Sequence, residues 1–228
     1  MNFRNFLNSK LMRWLRSWRS PGHMVLVKQL QERDRRRMKR HFLALERRDR
    51  QLRFGTVLPD AQISAYVENI DFARDTLYGV YGSSFKLLAV GHLAFAPKSS
   101  DSEWPAAQGK ECVAEFGVSV ARSARGMGIG SRLFQRAAIH CRNNDVDSLY
   151  MHYLSSNQTM MHIAKKAGMA IVRDHGEADA YLRILPPNPA SILKEAVDEQ
   201  VASLDYRFKA NTRAAIKWFE WVSGRKGK

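Results

Sequence analysis

The sequence predicts an α/β fold built on one mixed sheet, and three observations predict it. Strand-like and helix-like segments follow one another in the order β-α-α-β-β-β-α-β-α-β-β, the pattern of a sheet covered by helices. The 228 residues are 45% hydrophobic and 26% charged, a globular composition long enough to bury a proper core. That excludes collagen-like, low-complexity and disordered chains. A glycine-rich turn lies midway along the chain, between a strand and a helix.

The elements follow in order. Met24–Lys28 is a short β-rich run, and Gln31–Leu45 reads as a helix with Leu30, Met38, Phe42 and Leu45 as its apolar stripe. Pro59-Asp60 opens a second helix carrying Ile63, Tyr66, Val67 and Ile70 at helical spacing. Leu77–Tyr81 and Phe85–Phe95 read as a hairpin broken at Gly82-Ser83-Ser84. Residues 96–110 are rich in turn formers and read as a loop. Glu111–Val120 is a strand, Gly130–Asn143 a helix and Ser148–Leu154 a strand. Asn157–Ala167 is a helix stopped by Gly168. Met169–Arg173 and Ala180–Leu185 are the last strands, with Glu177 and Asp179 in the connection between them. A helical region over 190–222 closes the chain and ends in Ile216, Trp218, Phe219, Trp221 and Val222. So dense an apolar cluster should be buried, on the N-terminal helix or a second subunit.

Charge is concentrated at one end. Residues 1–53 hold 16 Lys and Arg against 4 Asp and Glu, most of a net charge of +15. Such asymmetry speaks about partners rather than fold. Residues 1–20 read as an amphipathic helix, with Phe3, Phe6, Leu7, Leu11, Trp14, Leu15 and Trp18 on one face and Arg13, Arg16 and Arg19 on the other. Either this helix lies in an anionic membrane surface, or it packs on its own domain, a partner protein or a second copy. Charges interrupt every apolar core in it, so it is not a secretory signal. The basic run Arg33–Arg40 lacks interleaved aromatic residues and reads as a solvated helix face, so nucleic acid is not the expected partner. The longest uncharged stretch near the middle, Leu87–Pro97, is far shorter than the ~20 apolar residues of a membrane span. Two cysteines, Cys112 and Cys141, exclude a disulfide framework, and no Cys/His cluster has zinc spacing. A reducing, cytoplasmic setting fits.

The chemistry is concentrated in Val118–Leu133. Gly126, Gly128 and Gly130 allow a tight turn and close approach of backbone to ligand. The following helix offers free N–H groups and its positive dipole end, with Arg122 and Arg125 nearby, so a pyrophosphate is the natural occupant. A P-loop fits poorly because Gly130 is followed by Ser131-Arg132 rather than Lys-Ser/Thr. The glycine spacing and the position along the chain also fit a dinucleotide fingerprint poorly.

Arg125-Gly126-Met127-Gly128-Ile129-Gly130 resembles the R/Q-x-x-G-x-G/A signature of the GNAT superfamily of N-acetyltransferases, and Val118-Ser119-Val120 looks like that family's fourth strand. Ser156-Asn157-Gln158-Thr159-Met160-Met161 and Lys165-Lys166-Ala167-Gly168-Met169 resemble its second motif, with Met169 in place of the usual Phe. The resemblance covers about residues 24–185. It implies a mostly antiparallel central sheet in one domain over 23–186, flanked by extensions at 1–22 and 187–228. It implies acetyl-CoA as donor, with no metal, in a cleft where the strands 111–120 and 148–154 splay apart. Arg125, Gly126, Met127, Gly128, Ile129, Gly130 and Ser131 would hold the pyrophosphate. Val118 and Val120 would offer backbone groups to the pantetheine arm, and Asn157 would bond near the splay or serve only as a helix cap.

Acetyl transfer to an amine, a protein lysine or a small molecule, needs a base, because an alkylammonium has a pKa of about 10.4. Glu115, in an Ala-Glu-Phe strand similar to that of bacterial protein acetyltransferases, is the first choice, with Glu111 weaker. Tyr150 and His152 share one face of the next strand and are candidates for proton transfer. The family's usual general-acid Tyr is replaced by Ala164. The alternative to an enzyme is a catalytically silent CoA-binding module that docks on membrane or an acidic partner through its basic N-terminus.

Overall fold

A computed structural model describes residues 25–95 and 112–224, with the side chains of 215 and 217–224 left undescribed. The expectations for residues 1–20, Glu111, the 96–110 loop and the aromatic side chains at 218–222 lie outside these. Seven strands form one sheet: β1 Lys28–Gln29, β2 Thr76–Tyr81, β3 Leu87–Phe95, β4 Val113–Val120, β5 Ser148–Leu154, β6 Ala170–Asp174 and β7 Glu177–Arg183. Among the described residues six helices surround it: α1 Arg35–Leu43, α2 Arg47–Phe54, α3 Asp60–Glu68, α4 Ile129–Asn143, α5 Gln158–Lys166 and α6 Pro189–Gly224. The sheet order is β1-β2-β3-β4-β5-β7-β6, and only β4 and β5 run parallel. That pair needs a crossover, which α4 supplies.

Each face of the sheet has its own core. On one, Leu133, Phe134, Ala137 and Cys141 of α4 pack on Phe116, Leu149 and Met151. Burying one such Leu or Phe contributes roughly 1.5–3 kcal/mol. On the other, Met38 and Phe42 of α1 and Ile63 and Val67 of α3 cover Leu77 and Val90.

The expected helix over 31–45 is shorter than predicted. A 3-10 turn at Glu32–Asp34 precedes α1, and the chain breaks before α2, a helix that periodicity did not reveal. None of the residues of α2 is buried, so its sequence carries no apolar stripe. Nor is the basic run simply solvated. Arg35 reaches the last carbonyls of α3, at Val67 and Glu68, and the Ile70 carbonyl just beyond, and completes that helix end. Glu177 and Asp179 lie within β7 rather than in the connection, because the turn is made earlier by His175 and Gly176, both at positive φ.

The helical region at the C-terminus is a single helix. Pro189 occupies its first position, and the Asn188 side chain accepts from the Ser191 N–H at 2.7 Å. It straps the domain through Glu195 and Glu199, which engage buried Arg136 of α4 at 3.4 and 3.3 Å. Tyr206 then packs against Tyr81 and Phe85. Among the described residues no helix is long and apolar enough to cross a membrane.

Candidate active site

β4 and β5 pair only at Val113–Ser148, Ala114–Leu149 and Glu115–Tyr150. Beyond Glu115 the strands part, which leaves an edge of β4 facing a cleft of about 470 Å³ rather than a neighbouring strand. Unpaired backbone groups on such an edge need hydrogen-bond partners, and an extended amide-bearing ligand supplies them.

At the far end of β4 the loop turns on two left-handed glycines, Gly126 at φ 75° and Gly128 at φ 70°. A Cβ at either would meet nothing within 4 Å, so the requirement there is conformational and the space above the loop stays open. Gly130 has a different reason: its Cβ would come 3.1 Å from Ile163, and its absence lets α4 and α5 pack closely. The N–H groups opening α4 face this cleft with the positive end of the helix dipole. Every residue expected to hold the cofactor lines the cleft except Met127, which is 56% exposed and lies outside it.

Asn157 is indeed a cap: its side-chain oxygen accepts from the Met160 N–H at 3.2 Å. Its amide nitrogen donates to Leu52 of α2 at 3.3 Å, which ties the second motif to the unpredicted helix. That helix changes the electrostatics as well. Asp49 meets Arg125 at 2.5 Å and Glu46 meets Arg122 at 3.1 Å, so α2 and its N-cap residue set two carboxylates against the two loop arginines.

A second cluster lies on the opposite side of the splay. Glu115 stands beside Tyr150 in the ladder, with His152 two residues on. The Tyr150 hydroxyl donates to Asp179 at 2.6 Å, and His152 Nδ1 lies 2.7 Å from the same carboxylate. Burial and the bond to Asp179 push the Tyr150 hydroxyl well above its ordinary range, so it stays protonated. Burial opposes charge on His152, but the hydrogen bond and charge of Asp179 raise it overall. Asp179 is lowered in turn, the bonds from Tyr150 and His152 outweighing its burial.

Sequence reasoning missed the adjoining chain. Arg53 donates to the Tyr66 hydroxyl at 2.9 Å, Tyr66 lies 2.7 Å from His92 Nδ1, and His92 Nε2 lies 3.0 Å from Asp75. His92 is thus a satisfied sheet histidine. The Arg53 guanidinium lies so near β4 that a Cβ at Gly117 would come within 2.8 Å of it, and its buried Nε has no partner. The one signal in the sequence was the glycine itself, in the middle of a strand. Ala164 is fully buried, and the Tyr153 hydroxyl is turned into the core toward Met161. Among the described residues no cluster suits a metal ion.

The family model described as the acetyltransferase (GNAT) family matches residues 13–169. Among solved structures, the GNAT domain of Streptomyces lividans PAT superposes with a TM-score of 0.56 at 15% identity, covering 69% of this chain and 89% of that one. Arabidopsis thaliana NAA60 in complex with acetyl-CoA gives 0.52 at 13% identity, covering 71% and 99%. An N-acetyltransferase from Staphylococcus aureus Mu50 gives 0.51 at 16%, covering 71% and 99%. No curated protein sequence matches significantly. At these identities the structural likeness speaks for the fold alone.

Proposed function

This chain belongs to the GNAT acetyltransferase family, and from that premise we propose that it is an acetyl-CoA-dependent N-acetyltransferase acting on a primary amine. The observation that carries the reading is the parting of β4 from β5 directly above a left-handed glycine loop at a helix N-terminus. Acetyl-CoA, when bound, supplies the acetyl thioester. The N–H groups of Arg125–Gly130 hold its pyrophosphate, and the free edge of β4 around Val118 and Val120 holds its pantetheine arm. Glu115 takes the proton from the incoming ammonium, directly or through water. Backbone N–H groups of β4 stabilise the negative charge that develops on the carbonyl oxygen. Arg53, against Gly117 with its buried Nε unpaired, adds positive charge beside it. The thiolate departs unassisted, because Tyr150 keeps its proton on Asp179 and its raised hydroxyl is a weaker acid than a thiol. His152 and Asp179 hold that tyrosine in place. A cytoplasmic setting, at the membrane or free of it according to residues 1–20, is part of the same reading.

Calorimetric titration with acetyl-CoA tests the donor, in the wild type and in Gly128→Asp, which puts a carboxylate and a strained left-handed residue in the phosphate seat. Micromolar binding that weakens at least a hundredfold in the variant is expected. An amine panel read by free-thiol release then tests transfer. Wild-type binding without turnover on any amine would favour the silent CoA-binding module, a reading to which the Asp49–Arg125 pair in the phosphate seat lends weight.

A further inference from the structure

A second cleft, of about 670 Å³, has no part in the reaction described. It lies on the other side of the phosphate loop, between α1, the β2–β3 hairpin and the far half of α6. Five basic side chains line it, and two of them are neutralised: Arg37 by Asp34 at 3.1 Å and Arg122 by Glu46 at 3.1 Å. Asp49, which also reaches this cleft, is held by Arg125. The other three, Arg40, Lys86 and Arg213, pair with no carboxylate among the described residues. They come from three separate elements, α1, the hairpin and α6. Arg213 is held there by its bond to the Ser84 carbonyl at 2.8 Å.

Three uncompensated cations on one concavity repel one another and focus a positive potential into it. Leu87, Leu88 and Ala210 give the same cleft an apolar wall. We propose that this cleft is a second anion site, which binds a phosphate ester with its charged group among Arg40, Lys86 and Arg213 and its organic part against that wall. A free nucleotide and a phospholipid headgroup share this chemistry. Both differ from acetyl-CoA bound in the other cleft, which meets this one only at Leu45 and Asp49.

The test uses the full chain saturated with coenzyme A, titrated calorimetrically with adenosine monophosphate. It is paired with cosedimentation on phosphatidylcholine vesicles with and without phosphatidic acid. The expected result is one bound phosphate ester, weakened by salt and weakened at least tenfold in Arg40→Gln/Lys86→Ala. These two exposed positions should leave the melting temperature unchanged. Binding should survive in Gly128→Asp, so failure of the acetyl-CoA reading and failure of this one are distinguishable. Nucleotide binding identifies a soluble ligand. Vesicle binding alone, lost with Arg40 and Lys86, identifies a headgroup. The proposal is overturned if neither probe binds, or if binding ignores the double variant. It is also overturned if Gly128→Asp abolishes nucleotide binding, or if the double variant weakens acetyl-CoA equally, since either would mean a single extended site.

Discussion

The phosphate loop and the acceptor-side cluster share strand β4 yet are assembled differently. The loop is one contiguous stretch whose work is done by backbone: two glycines at positive φ and the free N–H groups of a helix start. The cluster is made of side chains from separate elements, with Tyr66 on α3, His92 on β3, Glu115 on β4, Tyr150 and His152 on β5 and Asp179 on β7. Backbone recognition of a phosphate is local and tolerant of what packs around it. A proton-transfer site depends on distances set by the whole sheet, so a small shift in any strand degrades it. Donor binding and transfer should therefore be separable by mutation.

The largest effect should come from Glu115→Gln, which should lower kcat by about 10²–10⁴-fold while leaving acetyl-CoA affinity within twofold. Pre-steady-state and calorimetric measurements on one preparation decide it. A parallel fall in affinity would erase the distinction between the two regions.

Next comes His41, which joins the helical layer to β4 and β3 by hydrogen bonds to Ser119 at 2.8 Å and the Leu87 carbonyl at 3.2 Å. Burial lowers it to about 4, below its unfolded value of 6.5. A depressed folded value means its contribution is present above pH ~6.5 and is lost as pH falls toward 4, about 3 kcal/mol in all. Denaturant melts at pH 7 and 4.5 should show this loss, and His41→Gln should flatten it. An unchanged slope in the variant would assign the acid sensitivity elsewhere.

Ala164→Tyr restores the residue type that the family resemblance expects, but into a position with no exposed surface. Overpacking should cost about 1–3 kcal/mol and kcat should not rise. A gain in kcat would place a general acid on α5. The smallest effect should be that of Asp49→Asn, which releases Arg125 for the phosphates and should tighten acetyl-CoA binding about threefold, in the range of a partly exposed ion pair. Weaker binding instead would make Asp49 an organiser of the loop rather than a competitor for it.

The sequence by itself determined what is local. It marked the strand at 148–154, a strand over 111–120 that the structure begins at Val113, the helix after the loop, the glycine turn itself and a cap as one of two roles for Asn157, because propensity, capping and left-handed backbone are decided within a few residues. It also placed Tyr150 and His152 on one face through the two-residue period of a strand. Tertiary structure decided the rest. It revealed α2, whose eight residues include four arginines and bury none, and whose one local sign is Gly55 at φ 75° after its end. It set Asp49 and Glu46 against the loop arginines and Arg53 over Gly117, pairings between residues 60 or more positions apart along the chain. It moved Asp179 from a turn into β7, where the sheet register puts it opposite His152. Ion pairs and hydrogen-bonded clusters depend on which side chains the sheet brings together, and no pattern along a single segment encodes that meeting.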